Sequence, residues 1–258
     1  MSALFGLSGR VVLITGATRG IGRAIALRMA EAGARVVVSS RKQDACDETA
    51  ALIEREHGPG RALSIAASIS DKDALARMVE TVTTRWGGVD VLVCNAASNP
   101  YYGPMAGISD EQFRRILDNN ILSSHWLVQM VAPGMQVRRD GVVILVSSVG
   151  GLRGSATIGA YNVSKAADMQ LARNLAVELG PHNIRVNCIA PGLVRTDFAR
   201  ALWENPDTLQ SYTKTTPLGR IGEPDEIAGA AVFLASPAGA FTTGQTFVID
   251  GGYTVMGA

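Results

Sequence analysis

Cysteine, histidine, aromatic residues and net charge are all scarce in this chain, and each scarcity closes off a class of protein. There are three cysteines and three histidines in 258 residues. Cys46, Cys94 and Cys188 have no metal-ligand spacing, and a chain this long needs no disulfides to hold a core. His57, His125 and His182 are equally scattered, so no metal site is expected. Aromatic residues make up 5% of the chain, which argues against a stacking surface for single strands. A net charge of +1 gives no electrostatic reason to expect nucleic acid or an anionic membrane as partner. No stretch approaches the ~18 uninterrupted apolar residues of a membrane helix. The first nine residues lack the basic start and apolar run of a secretory signal. The last three, Met256-Gly257-Ala258, are not a peroxisomal address. The expectation is a soluble protein of the reducing cytoplasm.

Apolar residues (47%) and glycine (28) are plentiful. Low charge with that apolar content excludes a disordered chain, and the length suits one large α/β domain spanning 1–258. Strand candidates fall at 10–15, 35–40, 62–66, 89–94, 141–147, 184–190 and 246–250. Most are apolar throughout, the mark of strands covered on both faces of a parallel sheet. Helical patterns fall between them at 20–32, 43–57, 71–86, 109–137, 156–180 and 223–236. Ser70-Asp71, Ser109 and Glu223-Pro224-Asp225 supply start signals. This alternation predicts a doubly wound, seven-stranded parallel sheet flanked by helices, a Rossmann arrangement. An irregular stretch at about 192–222 breaks the rhythm, and loops that long usually carry function, here as a substrate loop.

Behind the first strand stands Thr15-Gly16-Ala17-Thr18-Arg19-Gly20-Ile21-Gly22, and then a helix. Glycines there let backbone amides and a helix N-terminus approach a pyrophosphate; the plainer alternative is a turn that only packs helix on strand. With 28 glycines, the Thr-Gly-x3-Gly-x-Gly spacing arises by chance about 0.02 times. Dinucleotide binding is the expectation. An NAD site usually carries an acid at the end of the second strand, for the ribose 2′-hydroxyl. Here the strand ends Ser39-Ser40-Arg41-Lys42. Arg41 supplies a planar fork for a 2′-phosphate, Ser40 a hydroxyl and Arg19 a second guanidinium, which points to NADP(H).

A second constellation is Tyr161-Asn162-Val163-Ser164-Lys165. On a helix, positions i and i+4 share a face, so phenol and ammonium open into the same space. A phenol of pKa about 10 is a poor proton-transfer partner at neutral pH, and a neighbouring ammonium and an oxidised nicotinamide are both expected to pull that value down. Ser148 ends the fifth strand at the carboxyl edge, where α/β sheets bind ligands, and can hydrogen-bond a carbonyl oxygen. Asn120 is a polar residue at a poor helical position; it could brace two helices or hold a water chain to Lys165.

With these residues assembled, the chain resembles the short-chain dehydrogenase/reductase family over essentially its whole length. The likeness is carried by the Thr15–Gly22 loop, Asn95-Ala96-Ala97, Asn120, Ser148, Tyr161 with Lys165, Pro191-Gly192 followed by Thr196, and the terminal Gly244-Gln245 and Asp250-Gly251-Gly252. The resemblance implies that Tyr161 is the general acid of carbonyl reduction and that Lys165 lowers its pKa and holds the nicotinamide ribose. Ser148 would orient the carbonyl and Asn120 support a proton relay. Besides Gly16, Thr18, Arg19, Gly20, Ile21 and Gly22, the cofactor would meet Asn95, Ala96 and Ala97. Pro191, Gly192, Val194 and Thr196 would face its nicotinamide side, and Ser68 and Ile69 its adenine. Two positions depart from the family pattern: Ala97 stands where glycine is frequent, and Ser68 where an acid is frequent.

Within the family the sequence is similar to NADPH-dependent carbonyl reductases of the retinal/dicarbonyl type. That likeness rests on Ser39 to Gln43, Asn95 to Gly103, and Arg195 to Phe198 with Leu202-Trp203. The implied reaction is reduction of a ketone or aldehyde, with Tyr101, Tyr102, Phe198 and Trp203 as an aromatic substrate wall. A 3-oxoacyl thioester is the alternative substrate, which would want a basic docking surface from Arg138, Arg139 or Arg153. The alternative of another class is an NADP-binding regulatory protein without turnover. A homotetramer is expected from apolar residues on more than one face of the 109–137 and 156–180 helices.

Overall fold

The computed structural model describes residues 3–256; of the terminal tripeptide, Gly257 and Ala258 lie outside the described residues. Seven strands form one parallel sheet in the order β3-β2-β1-β4-β5-β6-β7. They are β1 (Val11–Thr15), β2 (Arg35–Ser40), β3 (Ala62–Ala66), β4 (Val91–Cys94), β5 (Gly141–Val146), β6 (Ile184–Pro191) and β7 (Thr246–Ile249). Each parallel connection needs a crossover, and these crossovers place helices on both faces.

The two faces explain why the strands read as unbroken apolar runs. Val12 and Ile14 of β1 pack with α1 (Gly20–Glu31), α2 (Gln43–His57) and α9 (Pro224–Ala235). Val11 and Leu13, the alternate residues, pack with α3 (Lys72–Trp86), α5 (Ser123–Arg138) and α6 (Gly159–Leu179). A strand apolar on one side only could not serve both layers.

Start signals act where the sequence places them. Asp71 accepts the Ala74 amide at the head of α3. Ser109 and Gln112 close a reciprocal capping box on α4 (Asp110–Leu117). The carboxylate of Glu226 accepts the Glu223 amide at the start of α9.

Two expectations fail. The 109–137 helix is not continuous: a π turn at Asp118–Leu122 separates α4 from α5. The wider turn lets consecutive residues Asn119 and Asn120 both face inward, where Ser98 and Ser164 bond them. The 192–222 stretch is not irregular throughout either. It contains a 3-10 turn (Asp197–Ala199), α7 (Arg200–Trp203) and α8 (Pro206–Lys214). Asn205 caps α8 through the Thr208 amide, with Pro206 at the first helical position, a start signal that the sequence reading passed over.

Candidate active site

The strand order reverses between β1 and β4, and there the carboxyl edge opens into a cleft of 420 Å³. In open α/β sheets this switch point is where ligands sit. Its first wall is the glycine loop: Gly16, Thr18, Arg19, Gly20, Ile21 and Gly22. Gly16 has φ +67°, and a Cβ on Gly22 would stand 2.2 Å from the Gly16 carbonyl oxygen, so a side chain at either position would push the loop apart. No side chain caps the first turn of α1, which leaves its amides to an anion. These features fit a pyrophosphate. Ser40 and Arg41 follow from the end of β2; among the described residues, neither Arg19 nor Arg41 has a carboxylate partner. Ser68 and Ile69 line the next stretch, although the Ser68 hydroxyl is shared with that of Ser70 at 2.8 Å.

The β4 edge adds Asn95, Ala96 and Ala97. Asn95 is locked by its side-chain amide, which donates to the carbonyls of Thr15 and Gly16 at 3.0 and 3.2 Å. Thr196 closes the cleft from above. Pro191, Gly192 and Val194 are not part of the wall. Pro191 ends β6, and Gly192 leads into a bridge between Val194 and Gly222 at the two ends of the 192–222 stretch. Arg115 and Asn119 join the wall unforeseen, because the π turn that aims Asn119 inward leaves no signature in hydrophobic period.

The floor carries Tyr161 and Lys165, with Val146 and Ser147. The Lys165 ammonium lies 5.7 Å from the centre of the Tyr161 ring. It donates to the Val146 carbonyl and to Asp168 Oδ2, each at 2.9 Å, and both members of this ion pair are 3% exposed. Asp168 was not foreseen. The available signal was its place three residues after Lys165 and seven after Tyr161, on one stripe of α6.

The expected pull of Lys165 on the phenol is present, but burial outweighs it. Burial is the largest influence on Tyr161 and pushes it up. Lys165 pulls it down, Asp168 pushes it up again, and the Ser148 hydroxyl lowers it; the net is above the usual tyrosine value. Burial alone would lower Lys165, but Asp168 and Tyr161 more than offset this and hold it above the usual lysine value. Burial likewise raises Asp168, against the pull of Lys165. Each member of the pair offsets part of the other's desolvation.

Ser148 stands beside Tyr161, and Asn120 lies behind the wall. Ser148 caps the 3-10 turn Val149–Leu152, its hydroxyl accepting the Gly150 amide at 3.0 Å. Asn120 is 2% exposed, and both its amide hydrogens are spent, on the Ser98 carbonyl and the Ser164 hydroxyl. Its side chain is thus a brace between the β4 loop and α6.

Of the four aromatics expected around the substrate, Phe198 lines the cleft, its ring 6.0 Å from that of Tyr161. The other three have different occupations. Tyr101 donates to the Pro104 carbonyl, Tyr102 is 68% exposed, and Trp203 donates to the Thr196 carbonyl beneath the Arg195 guanidinium. The basic docking surface is also dispersed. Arg138 and Arg139 bind the Val89 and Pro181 carbonyls, ahead of β4 and β6, at the amino edge of the sheet. Arg153 lies on the Tyr253 ring. Among the described residues no cluster of His, Cys, Asp and Glu could hold a metal, and no helix is long and apolar enough to cross a membrane.

Residues 16–254 match the model of a family described as enoyl-(acyl carrier protein) reductase. The chain is 41% identical over 249 residues to dehydrogenase/reductase SDR family member 4 of Bos taurus, covering 95% of this chain and 88% of the relative. Among solved structures it is similar to a 7α-hydroxysteroid dehydrogenase complexed with NADH and 7-oxo glycochenodeoxycholic acid. That likeness has TM-score 0.93 and 36% identity over 98% of this chain and 97% of the other. It is also similar to a gluconate 5-dehydrogenase from Burkholderia cenocepacia J2315 in complex with NADP and tartrate, at TM-score 0.93 and 32% identity over 98% of each chain.

Proposed function

Because the chain belongs to the short-chain dehydrogenase/reductase family of oxidoreductases, we propose that it is an NADPH-dependent reductase of ketones or aldehydes, with Tyr161 as general acid. The observation that carries this reading is the shared cleft: the glycine loop and Arg41 line one end, Tyr161 and Lys165 the other. The nicotinamide would supply the hydride. The chain's residues hold the pyrophosphate at Gly16 to Gly22, grip a 2′-phosphate with Arg19, Ser40 and Arg41, and place the adenine by Ser68 and Ile69. Asn95 to Ala97 flank the cofactor, and Pro191, Gly192, Val194 and Thr196 support its nicotinamide side. Ser148 turns the carbonyl oxygen towards Tyr161, whose hydroxyl proton passes to it. Lys165 steadies the phenolate that results, and Asn120 keeps the β4 loop against α6.

The two dinucleotide-bearing neighbours hold NADH in one case and NADP in the other, so the choice of cofactor rests on local residues. Two arginines without carboxylate partners among the described residues, and no acid at the end of β2, favour the phosphorylated form. Phe198 against Tyr161 favours an apolar substituent on the carbonyl. The carrier-protein substrate loses support from the position of Arg138 and Arg139 at the far edge. A homotetramer is supported by exposed Val137, Val163 and Val177 on the outward sides of α5 and α6, and a monomeric mass by light scattering would contradict it.

The function is tested by nucleotide consumption across a panel of ketones, aldehydes, diketones and 3-oxoacyl thioesters, with NADPH and NADH side by side. Higher kcat/KM with NADPH on a small carbonyl is expected. Preference for NADH overturns the cofactor assignment, and turnover restricted to thioesters overturns the substrate class.

A further inference from the structure

Arg19, Arg41, Arg115 and Lys165 all line the cleft, and Arg115 has no part in the reading so far. Lys165 is held by Asp168 within α6, while Arg19 and Arg41 stand just before α1 and α2. Those two helices cover one face of the sheet, and α3, α5 and α6 cover the other. Arg115 belongs to this second layer, because α4 runs through the π turn into α5. The cleft crosses the carboxyl edge of the sheet between the layers. Arg115 therefore approaches it from the side opposite Arg19 and Arg41.

Helix rotation decides which end of the cleft it serves. Ile116 and Asn120 share the side that meets α6, where Asn120 donates to the Ser164 hydroxyl at 3.0 Å. Arg115 and Asn119 are each one residue earlier, about 100° round the helix from that side. Asn119 is fixed there by its amide, which donates to the Ser98 hydroxyl at 2.9 Å. Trp126, seven residues beyond Asn119, lies 5.7 Å from the Lys72 ammonium at the head of α3. The same side thus looks towards the β3–α3 connection, where Ser68, Ile69 and Ser70 line the cleft with Arg115. That is the end assigned to the adenine, away from Tyr161 and Phe198.

No acid occupies the Arg115 guanidinium. Among the described residues it forms no ion pair, although Glu111 and Asp118 stand one turn away on either side. Its neighbour Arg114 is the one that pairs, with Asp110 at 3.0 Å on the exposed side. Ser68 is neutral, and Asp197, the acid on the cleft wall among the described residues, is bound to Arg200. An adenine offers a flat π face and no charge, which suits a planar guanidinium better than a point cation. We propose that Arg115 is a binding residue for the adenine base, its guanidinium stacking on the ring from the α4 side, while Arg19 and Arg41 take the phosphate charge from the other. This rests on the reading of the cleft as a dinucleotide site. Arg115 then raises affinity for NADPH and NADH alike, and the choice between them is left to the opposite layer.

The test is equilibrium binding, by calorimetry for NADPH and NADH and by displacement of NADPH fluorescence for 5′-AMP, which carries the base without a 2′-phosphate or a nicotinamide. Wild-type chain that binds none of the three overturns the dinucleotide site and the role of Arg115 together. Otherwise the variants decide Arg115 alone. In Arg115→Ala, Kd is expected to rise about fivefold for all three ligands. A loss confined to NADPH overturns the proposal by making Arg115 a third phosphate ligand. Unchanged Kd for 5′-AMP overturns it as well, since the base is then read elsewhere. Arg115→Lys keeps the charge but not the plane, and is expected to lose about as much as the alanine variant. Full recovery with lysine overturns the stacking. Arg115 is exposed on α4, so both variants are expected to melt with the wild type. Binding needs no turnover, so the outcome stands even for a chain inactive on every carbonyl tried.

Discussion

The cleft has two ends, and they handle positive charge in opposite ways. At the phosphate end, Arg19 and Arg41 are exposed and, among the described residues, without carboxylate partners. At the chemistry end, Lys165 is 3% exposed and bound to Asp168 within its own helix. The difference follows from solvation. An exposed guanidinium is stabilised by water and can wait for a ligand's charge, whereas a buried ammonium needs a counter-charge built into the chain. The phosphate end is thus designed to gain a partner, and the chemistry end already holds one.

That contrast can be broken most severely at the chemistry end. Tyr161→Phe removes the proposed proton donor while leaving the ring against Phe198, and kcat for carbonyl reduction is expected to fall about a hundredfold or more. Cofactor affinity, measured by nucleotide fluorescence, is expected to stay within a few-fold of wild type; equal turnover would remove Tyr161 from the mechanism. A smaller effect is expected at the phosphate end. Arg41→Ala deletes a charged hydrogen-bond donor, so kcat/KM with NADPH should drop about tenfold to a hundredfold while the value with NADH holds. Equal losses with both nucleotides would show that Arg41 does not read the 2′-phosphate. The smallest effect sharpens the comparison directly. Raising salt from low to physiological strength should weaken NADPH binding by a few-fold, since exposed charges are screened, yet leave the Tyr161 titration where it was. A phenol midpoint that moves with salt as much as the nucleotide affinity does would mean that the two cations are equally solvated.

Much of this was legible in one dimension. β2, β3 and α2 fall on the residues that hydrophobic period and turn signals predict, because strands covered on both faces must be apolar throughout. The glycine loop is as legible, since its spacing answers a local backbone need that few other structures share. The π turn at Asp118–Leu122 was not, because one extra residue in a helical turn shifts the period too little to read. Nor was the absence of Tyr101, Tyr102 and Trp203 from the cleft wall, because aromatic composition says nothing about which way a loop folds. The helices within 192–222 are short, and short helices take their stability from packing rather than from a pattern of their own.

The scarcity of charge, with which the chain first declares itself, marks the same division. Sequence alone determined the layered sheet, the phosphate loop and the phenol–ammonium pair, because each depends on residues close together along the chain or on a repeating period. Only the tertiary structure decided the setting of that pair: that Lys165 turns back to Asp168 and the Val146 carbonyl, and that Asn120 spends its donors on Ser98 and Ser164. Burial is the physical reason. The strength of a charge and the value of a hydrogen bond depend on how much water remains, and that is set by which distant segments close over the site.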